Sequence, residues 1–270
     1  DAAQIDLTGA WKYKVGTDMA EAMQYADRLK NRKNVGSGLY NGMIYPLRNY
    51  KVKAAIWYQG ESNSGRPHEY NALMTSLIEN WRELWPDMPF LLVQLPNFMQ
   101  KHPQPTDSGW ARIREAQLQA FKNIPNTALA VNYDIGEWND IHPLNKKTLA
   151  QRLFLGARKL VYGEKITASG PIYKDMKISG NKIIITFTET GKGLAIRGGE
   201  KALKHFAIAG DDQKFVWADA VIKGNTVVVS SKDVPQPVAV RYAWADNPDD
   251  ANLINKDGLL ASPFRTDDWK

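Results

Sequence analysis

Residues 54–63 constrain the fold of this chain more than any other stretch of the sequence. Residues 54–58 form a continuous apolar run with one β-branched and two aromatic residues, which is typical of a buried parallel strand. Residues 59–63 are abruptly polar. Ligands of open α/β sheets bind just beyond the carboxyl ends of strands, and burying so many polar groups is costly unless a ligand uses them. We therefore expect a ligand site here; a polar turn that only caps a helix is the alternative.

Strands and helices alternate after this stretch. Apolar residues recur at helical spacing from Tyr70 to Trp85, and Pro86 ends that helix. This alternation favours a parallel sheet with right-handed crossovers, so the polar strand ends are expected to meet at one edge. The other predicted elements are helices over residues 39–47, 108–122 and 146–162 and strands over 90–95 and 127–131. The amino-terminal pattern is less regular, and it indicates a strand over residues 10–15 and a helix over 19–30.

The composition of the chain changes at about residue 169. Short β-rich runs separated by Gly-, Asn- and Pro-containing turns are typical of an all-β module of the sandwich type. The tail, residues 252–270, is predicted to be a loop that packs back on the first domain. We expect an α/β domain over residues 1–168 and a β-sandwich-like module over 169–270. The β-rich runs are residues 182–187, 206–209, 214–217, 226–229 and 238–242.

Composition argues against several kinds of function. The 270 residues include no cysteine, which removes disulfides, thiol catalysis and Cys-bound metal. The net charge of +6 arises from scattered lysines, so we expect no nucleic-acid partner. No apolar run approaches the ~18 residues of a membrane span, and no residues have metal-ligand spacing. We therefore expect neither a membrane partner nor a cofactor. Nine Trp and eleven Tyr suit a sugar ligand as well as core packing.

His142 is the strongest catalytic candidate among four histidines. It lies in a loop between a predicted strand and a predicted helix, two residues after Asp140, whose carboxylate can fix the imidazole tautomer. The alternative is a loop histidine that only hydrogen-bonds locally. A general base needs a nucleophile to activate, and Ser62 is the obvious candidate because of the motif around it. Residues 60–64 almost match the G-x-S-x-G elbow, but Ser64 replaces the final glycine.

Four segments of the sequence occur in a recognisable order: residues 57–63, 90–95, 114–117 and 140–143. Together they resemble the sialate O-acetylesterases of the SGNH (GDSL-like) hydrolase superfamily, and the resemblance extends from residue 7 to residue 267, which is nearly the whole chain. It implies a flavodoxin-like, three-layer α/β/α sandwich with an attached β module. It also implies removal of acetyl groups from sugar hydroxyls, such as those of sialic acid, through a Ser–His acyl-enzyme.

The resemblance also implies roles for individual residues. His142 matches the family's catalytic histidine. Gln59 and Gly60 match the block whose polar group binds the oxyanion, a contribution of ~10²–10³ in turnover. The remaining expected site residues are Glu61 and Asn63, which organise the site, and Arg114, which supports it or binds substrate.

The triad acid and the nucleophile depart from the family pattern. The acid position, three residues before the histidine, is Asn139, so Asp140 or a backbone carbonyl is expected to orient the ring. The family's nucleophilic serine lies on the first strand turn of the hydrolase domain, and residues 1–270 contain no match for that turn.

This chain is therefore expected to be the carboxyl-terminal portion of a longer protein and to lack the first strand. There are two alternatives. The chain pairs with a separate amino-terminal chain, or it is a catalytically inactive sugar-binding or assembly protein. The expected substrate is an O-acetylated sugar, and the expected location is periplasmic or secreted.

Overall fold

The computed structural model describes residues 36–269. The chain divides into two units, of which the first ends at residue 51 and the second begins at residue 52. The described part of the shorter unit contains a π-helical turn at Tyr40–Ile44 and a 3-10 turn at Tyr45–Leu47, where a short helix was expected. The strand predicted over residues 10–15 and the helix over 19–30 lie outside the described residues. All the elements below belong to the longer unit.

A parallel sheet organises the first half of the longer unit. Its strands are β1 (Ala55–Trp57), β2 (Phe90–Val93) and β3 (Thr127–Ala130), hydrogen-bonded in that order. Trp57 pairs with Leu92, and Val93 pairs with Ala130. The predicted parallel sheet is confirmed, and the three carboxyl ends share one edge.

Three helices cover the two faces of this sheet. They are α1 (Pro67–Leu84), α2 (Gly109–Asn123) and α3 (Lys146–Leu160). Successive strand residues point to opposite faces: the side chain of Leu92 packs with α1 and α2, whereas that of Leu91 packs with α3. The predicted three-layer α/β/α arrangement is thus confirmed. Among residues 36–269, no helix combines the length and the hydropathy that a bilayer crossing needs.

The expectation that β1 is buried was wrong. The strand has only three residues, and Ile56 at its centre is 63% exposed. Among residues 36–269 β1 pairs with β2 alone, so it lies at the edge of the sheet that these residues form. The neighbouring Trp57 points to the other face, where its ring lies 6.0 Å from that of Trp81 on α1.

The second half of the longer unit is all-β, as predicted. One antiparallel sheet has the order β4-β5-β10-β9, a second has β13-β11-β7-β8, and β12 pairs with β6. Ile185 of the first sheet and Ile208 of the second lie in the same hydrophobic core, which gives a sandwich. The strands are β4 (Ile172–Ser179), β5 (Lys182–Thr188), β6 (Leu194–Ile196), β7 (Phe206–Ala209), β8 (Val216–Trp217), β9 (Asp219–Lys223), β10 (Thr226–Ser230), β11 (Ala239–Tyr242), β12 (Leu253–Asn255) and β13 (Phe264–Arg265).

The carboxyl-terminal tail is more ordered than a loop, and it contacts the α/β layers. It contains β12 and β13, whose Leu253 and Phe264 are buried. The Ser262 hydroxyl accepts a hydrogen bond of 2.9 Å from Gln94 beyond β2, and Arg265 donates one of 2.8 Å to Glu115 on α2. A single core cluster continues across residue 168, so the domain boundary there stays a prediction.

Candidate active site

The turn after β1 is built on Gly60. This residue is buried and has φ +154°, a conformation that L side chains rarely adopt. A Cβ atom at this position would lie 2.9 Å from Ile113 Cγ2 and 3.1 Å from Gln117 Nε2. The glycine therefore lets the turn lie directly on α2. Asn63 then closes a 3-10 turn, since its N–H donates to the Gly60 carbonyl at 2.9 Å.

Hydrogen bonds from two helices fix the position of Gln59. Its carbonyl accepts a bond of 2.7 Å from the Tyr70 hydroxyl on α1 and one of 3.0 Å from Gln117 Nε2 on α2. Gln117 Oε1 also accepts from the N–H of Leu95, at 3.0 Å. Gln117 thus joins the ends of β1 and β2, and sequence reasoning gave neither Gln117 nor Tyr70 a role.

The side chains of the turn form a small polar group. Gln59 Nε2 donates to Asn63 Oδ1 at 2.9 Å. Tyr58 lies beside them, and burial together with the negative charge of Glu61 raises the pKa of its hydroxyl to about 12. Tyr58 therefore stays protonated at neutral pH and is not a general base there.

The polar residues after β2 do not face the solvent at the sheet edge. Gln94 is fully buried and donates to the Arg114 carbonyl and to Ser262, each at 2.9 Å. Asn97 donates to Asn247 at 3.0 Å and accepts from the N–H of Gly136 at 2.6 Å. The amides after β2 therefore connect the loops to one another.

Arg114 is buried and supports the loop after β2. Its guanidinium donates to four backbone carbonyls, at distances from 2.6 to 3.0 Å. Burial lowers its pKa to about 9, so the group remains charged at neutral pH. With no exposed surface, Arg114 has no access to substrate, and of the two expected roles the structure favours support. The four acceptors are Leu95, Pro96, Ala245 and Asp246.

His142 is exposed on the loop between β3 and α3. Its side chain is 88% exposed, and Nδ1 lies 3.8 Å from Asp140 Oδ1, which is beyond hydrogen-bonding distance. The same carboxylate oxygen accepts from the His142 backbone N–H at 2.8 Å. Asp140 therefore holds the main chain of His142, and the expected hydrogen bond to the ring is not formed. Ser62 is exposed, and within residues 36–269 no serine hydrogen-bonds to the His142 ring.

The loop that carries His142 is fastened at its start. Asp134 accepts from Arg152 on α3 at 2.7 and 2.9 Å and from Arg197 at 2.7 Å. The ammonium group of Lys146, at the start of α3, lies 4.9 Å from the centre of the Tyr58 ring. The end of this loop is thus anchored beside the residue that precedes Gln59.

A cleft of about 570 Å³ lies along this loop. Gly136 and Asn139 form one wall, and Lys101 and Asn247 belong to the other. Trp138, also in the wall, is 55% exposed. For the described residues, no group of three or more His, Asp or Glu side chains is placed to hold a metal ion.

A family model for a carbohydrate esterase, the sialic acid-specific acetylesterase, matches residues 14–154. The chain belongs to this family of carbohydrate esterases. The matched region includes the turn at residues 59–63, Arg114 and His142.

Curated relatives and a solved structure agree with this assignment. The sialate O-acetylesterase of Homo sapiens is 35% identical over 239 residues, covering 78% of this chain and 44% of the relative. The Mus musculus protein of the same name is 33% identical over 237 residues, with 78% and 43% covered. The crystal structure of a carbohydrate acetylesterase from Xanthomonas citri is 46% identical with a TM-score of 0.81, over 86% of this chain and 54% of that one. The chain thus spans less than half the length of these curated relatives.

Proposed function

We propose that this chain forms part of a carbohydrate esterase that removes O-acetyl groups from sialic acid or a related glycan. The observation that carries the proposal is the family match over residues 14–154, which contains both the Gly60 turn and His142. The shared sheet edge supports it, because β1 and β3 are parallel and both loops leave from their carboxyl ends.

In the proposed reaction, His142 acts as general base and then as general acid. A serine Oγ attacks the acetyl carbonyl while His142 accepts its proton, and His142 returns that proton to the sugar oxygen as the C–O bond breaks. The products of this half-reaction are the free sugar hydroxyl and an acetyl-serine. A water molecule then attacks the carbonyl of the acetyl-serine while His142 accepts its proton. His142 returns this proton to the serine Oγ as the acyl C–Oγ bond breaks, which releases acetate. Its exposure leaves the His142 ring accessible to both proton-transfer partners.

The turn after β1 is proposed to stabilise the oxyanion that forms at the acetyl oxygen. The buried N–H of Gly60 has no acceptor in the described part of the chain. Since Asn63 Oδ1 is occupied by Gln59, the side-chain N–H groups of Asn63 are available as further donors. Gln59 and Glu61 keep this turn in place, and Arg114 acts through the loop after β2. Donors fixed before the reaction stabilise developing charge without reorganising.

Asp140 or a backbone carbonyl is proposed to orient the His142 ring once substrate is bound. The Nδ1–Oδ1 separation of 3.8 Å is short enough for a small rotation of the side chain to form the hydrogen bond. Catalytic hydrogen bonds are often long in ligand-free enzymes and shorten in the complex.

We propose that the nucleophilic serine comes from outside this chain, either from a preceding segment or from a separate amino-terminal chain. No serine within the described range bonds to the His142 ring, and Ser62 lies exposed in the 3-10 turn. By family resemblance we also propose a periplasmic or secreted location, which fractionation of the producing cell would test.

Acetate release is the measurement that tests this function. Wild type, His142→Ala and His68→Ala are each incubated with p-nitrophenyl acetate and with an O-acetylated sialic acid. His68 is a matched control, because its side chain is also exposed, at 78%. Because the serine is proposed to come from outside this chain, each form is measured together with the segment or chain that supplies it. There we expect hydrolysis by the wild type and by His68→Ala, and a loss of at least ~10³-fold in His142→Ala.

A catalytically inactive sugar-binding or assembly protein is the second candidate function. The absence of a serine bonded to His142 among residues 36–269 favours it. No acetate release in any form, including the longer protein, would support this second function and contradict the esterase. Unchanged release in His142→Ala would instead contradict the role proposed for His142.

A further inference from the structure

A second cavity, of about 250 Å³, lies in the β-sandwich half of the longer unit. Phe215, Trp217 and Trp269 contribute aromatic rings to its wall, and Asp107, His205 and Gln213 contribute polar groups. We propose that this cavity binds one neutral sugar residue. Its volume suits a single ring, since pockets for larger drug-sized ligands begin near ~300 Å³. The proposal goes beyond the esterase activity and does not depend on it.

The aromatic wall is held in position without a ligand. The indole N–H of Trp217 donates to the Pro103 carbonyl at 2.8 Å, and its ring meets that of His205 edge to face at 5.5 Å. Trp217 remains 39% exposed, so part of its ring surface is available for contact. Phe215 lies 5.6 Å from Trp269 and is covered on one side by the Arg241 guanidinium, at 4.2 Å. Such preorganisation lowers the entropy cost of binding.

Two of the charged groups in the wall are already neutralised by a partner. Arg241 donates two hydrogen bonds to Asp267, at 2.9 and 2.8 Å. Asp107 accepts from Arg112 at 3.1 Å and from the Trp244 indole at 2.9 Å. Burial raises the pKa of Asp107, but these hydrogen bonds outweigh burial and lower it to about 2, so the pair is ionised at neutral pH.

His205 is the third ionisable side chain in the wall, and it also has a charged partner. Its Nε2 forms a hydrogen bond of 2.8 Å with Asp250 Oδ1. An acidic sugar would therefore find no unpaired cation in the wall, and a cationic ligand would find no unpaired anion. A neutral ring with apolar C–H faces and hydroxyl edges matches a wall that combines aromatic rings with hydrogen-bonding groups.

Gln213 supplies a free hydrogen-bonding group at the rim. Its side-chain amide has no hydrogen-bond partner in the part of the chain that is described, and its backbone has φ +60°. His205, which also lines the cavity, has φ +61°. Two non-glycine residues in this sparsely populated region both line the same cavity, and such backbone outliers concentrate at ligand sites.

The cavity adjoins the cleft beside the His142 loop. Asp250 accepts from His205 in the cavity wall and, at 3.3 Å, from Lys101. Lys101 itself lines the cleft that contains Trp138 and Asn139. The cavity and the cleft are therefore linked through Asp250.

Calorimetric titration with simple sugars tests the proposal. The methyl glycosides of glucose, galactose and N-acetylglucosamine are compared with N-acetylneuraminic acid, as the acidic sugar, on the wild type and on variants. We expect saturable binding of at least one neutral glycoside, and an affinity about tenfold lower in Trp217→Ala. Trp138→Ala is the matched control, since it removes an exposed indole from the other cleft and should leave this affinity unchanged.

Gln213→Ala provides a second, independent variant, because the Gln213 side chain is exposed and makes no contact that the fold needs. We expect it to weaken binding of the same glycoside while the circular dichroism spectrum stays that of the wild type. The proposal is overturned if no neutral glycoside binds, if only the acidic sugar binds, or if neither Trp217→Ala nor Gln213→Ala weakens binding.

Discussion

At the scale of single residues, the site depends on a glycine that no other amino acid replaces without strain. Gly60 combines φ +154° with contact to Ile113 and Gln117 on α2. Its carbonyl closes the 3-10 turn, and its N–H is the proposed oxyanion donor. A change in the backbone here would therefore affect both stability and catalysis.

Gly60→Ala is predicted to destabilise the protein by about 1–3 kcal/mol, because the new Cβ meets packed atoms and the backbone conformation is unfavourable. Urea unfolding measures the change. Gly65→Ala is the matched control, since no atom lies within 4 Å of its Cβ position and its φ is not in the strained range. Equal stability of the two variants would show that neither the φ of Gly60 nor its close contact with α2 excludes a side chain.

The sequence indicated part of the site and missed the rest for a physical reason. Gln59 and Gly60 were found because an apolar strand ends there in a polar run. Tyr70 and Gln117 fix the same turn, but both lie on helices. The spacing of apolar residues along a helix shows which face is buried and nothing about the partners of its polar groups. Their roles depend on which strand end each helix passes, and only the tertiary structure determines this.

At the scale of elements, helix α3 lies unusually close to the sheet. A Cβ on Gly156 would be 2.7 Å from the Cβ of Ala128 on β3 and 3.3 Å from Leu91 on β2. The glycine thus allows the helix backbone to touch the strands. This contact fixes helix α3 against the sheet, and the first turn of α3 directly follows the His142 loop.

Gly156→Ala is predicted to destabilise the protein, although alanine is the better helix former. The gain in helix propensity is about 1 kcal/mol, whereas overpacking a tight contact costs about 1–3 kcal/mol. Thermal unfolding of Gly156→Ala, Ala128→Gly and the double variant forms a cycle. We expect Ala128→Gly to be less harmful in the Gly156→Ala background than alone; strictly additive effects would contradict the close contact.

Long periodic elements were predicted well and short ones poorly. The helix over residues 70–85 is observed at Pro67–Leu84, and the strand over residues 90–95 at Phe90–Val93. The strands β6, β12 and β13 have two or three residues each, which is too short for an alternating pattern to show. Their pairing partners are distant in the chain, so their formation depends on the packed sandwich rather than on local preference.

At the scale of the whole molecule, Arg114 connects the α/β layers to the β-sandwich. From α2 it reaches the carbonyls of Leu95 and Pro96 after β2 and those of Ala245 and Asp246 after β11. All four carbonyls accept from the guanidinium; that of Pro96 also accepts from the Trp110 indole at 2.7 Å, and that of Asp246 from the Phe98 N–H at 3.2 Å. A guanidinium has five N–H donors in a rigid fork, whereas an ammonium group has three donors on a flexible stem and cannot reproduce this geometry.

Arg114→Lys is therefore predicted to lower the free energy of unfolding by about 3 kcal/mol, chiefly because the carbonyls of Leu95 and Ala245 have no other donor among residues 36–269. Arg112→Lys, two residues earlier on the same helix, alters an ion pair at the surface and should cost less than about 1 kcal/mol. Chemical denaturation of both variants gives the comparison. A similar small loss in both would show that the four-carbonyl cluster does not hold the two halves together.

The most direct test of the account is whether His142 and the turn after β1 bind the same ligand. In an NMR titration with an O-acetylated sialic acid, signals of the His142 ring and of the Gln59 side-chain amide are followed together, with the exposed His68 ring as an internal control. We predict that the His142 and Gln59 signals shift with one dissociation constant while His68 does not move. A His142 ring that stays unchanged as the Gln59 signal saturates, or the reverse, would contradict a shared site.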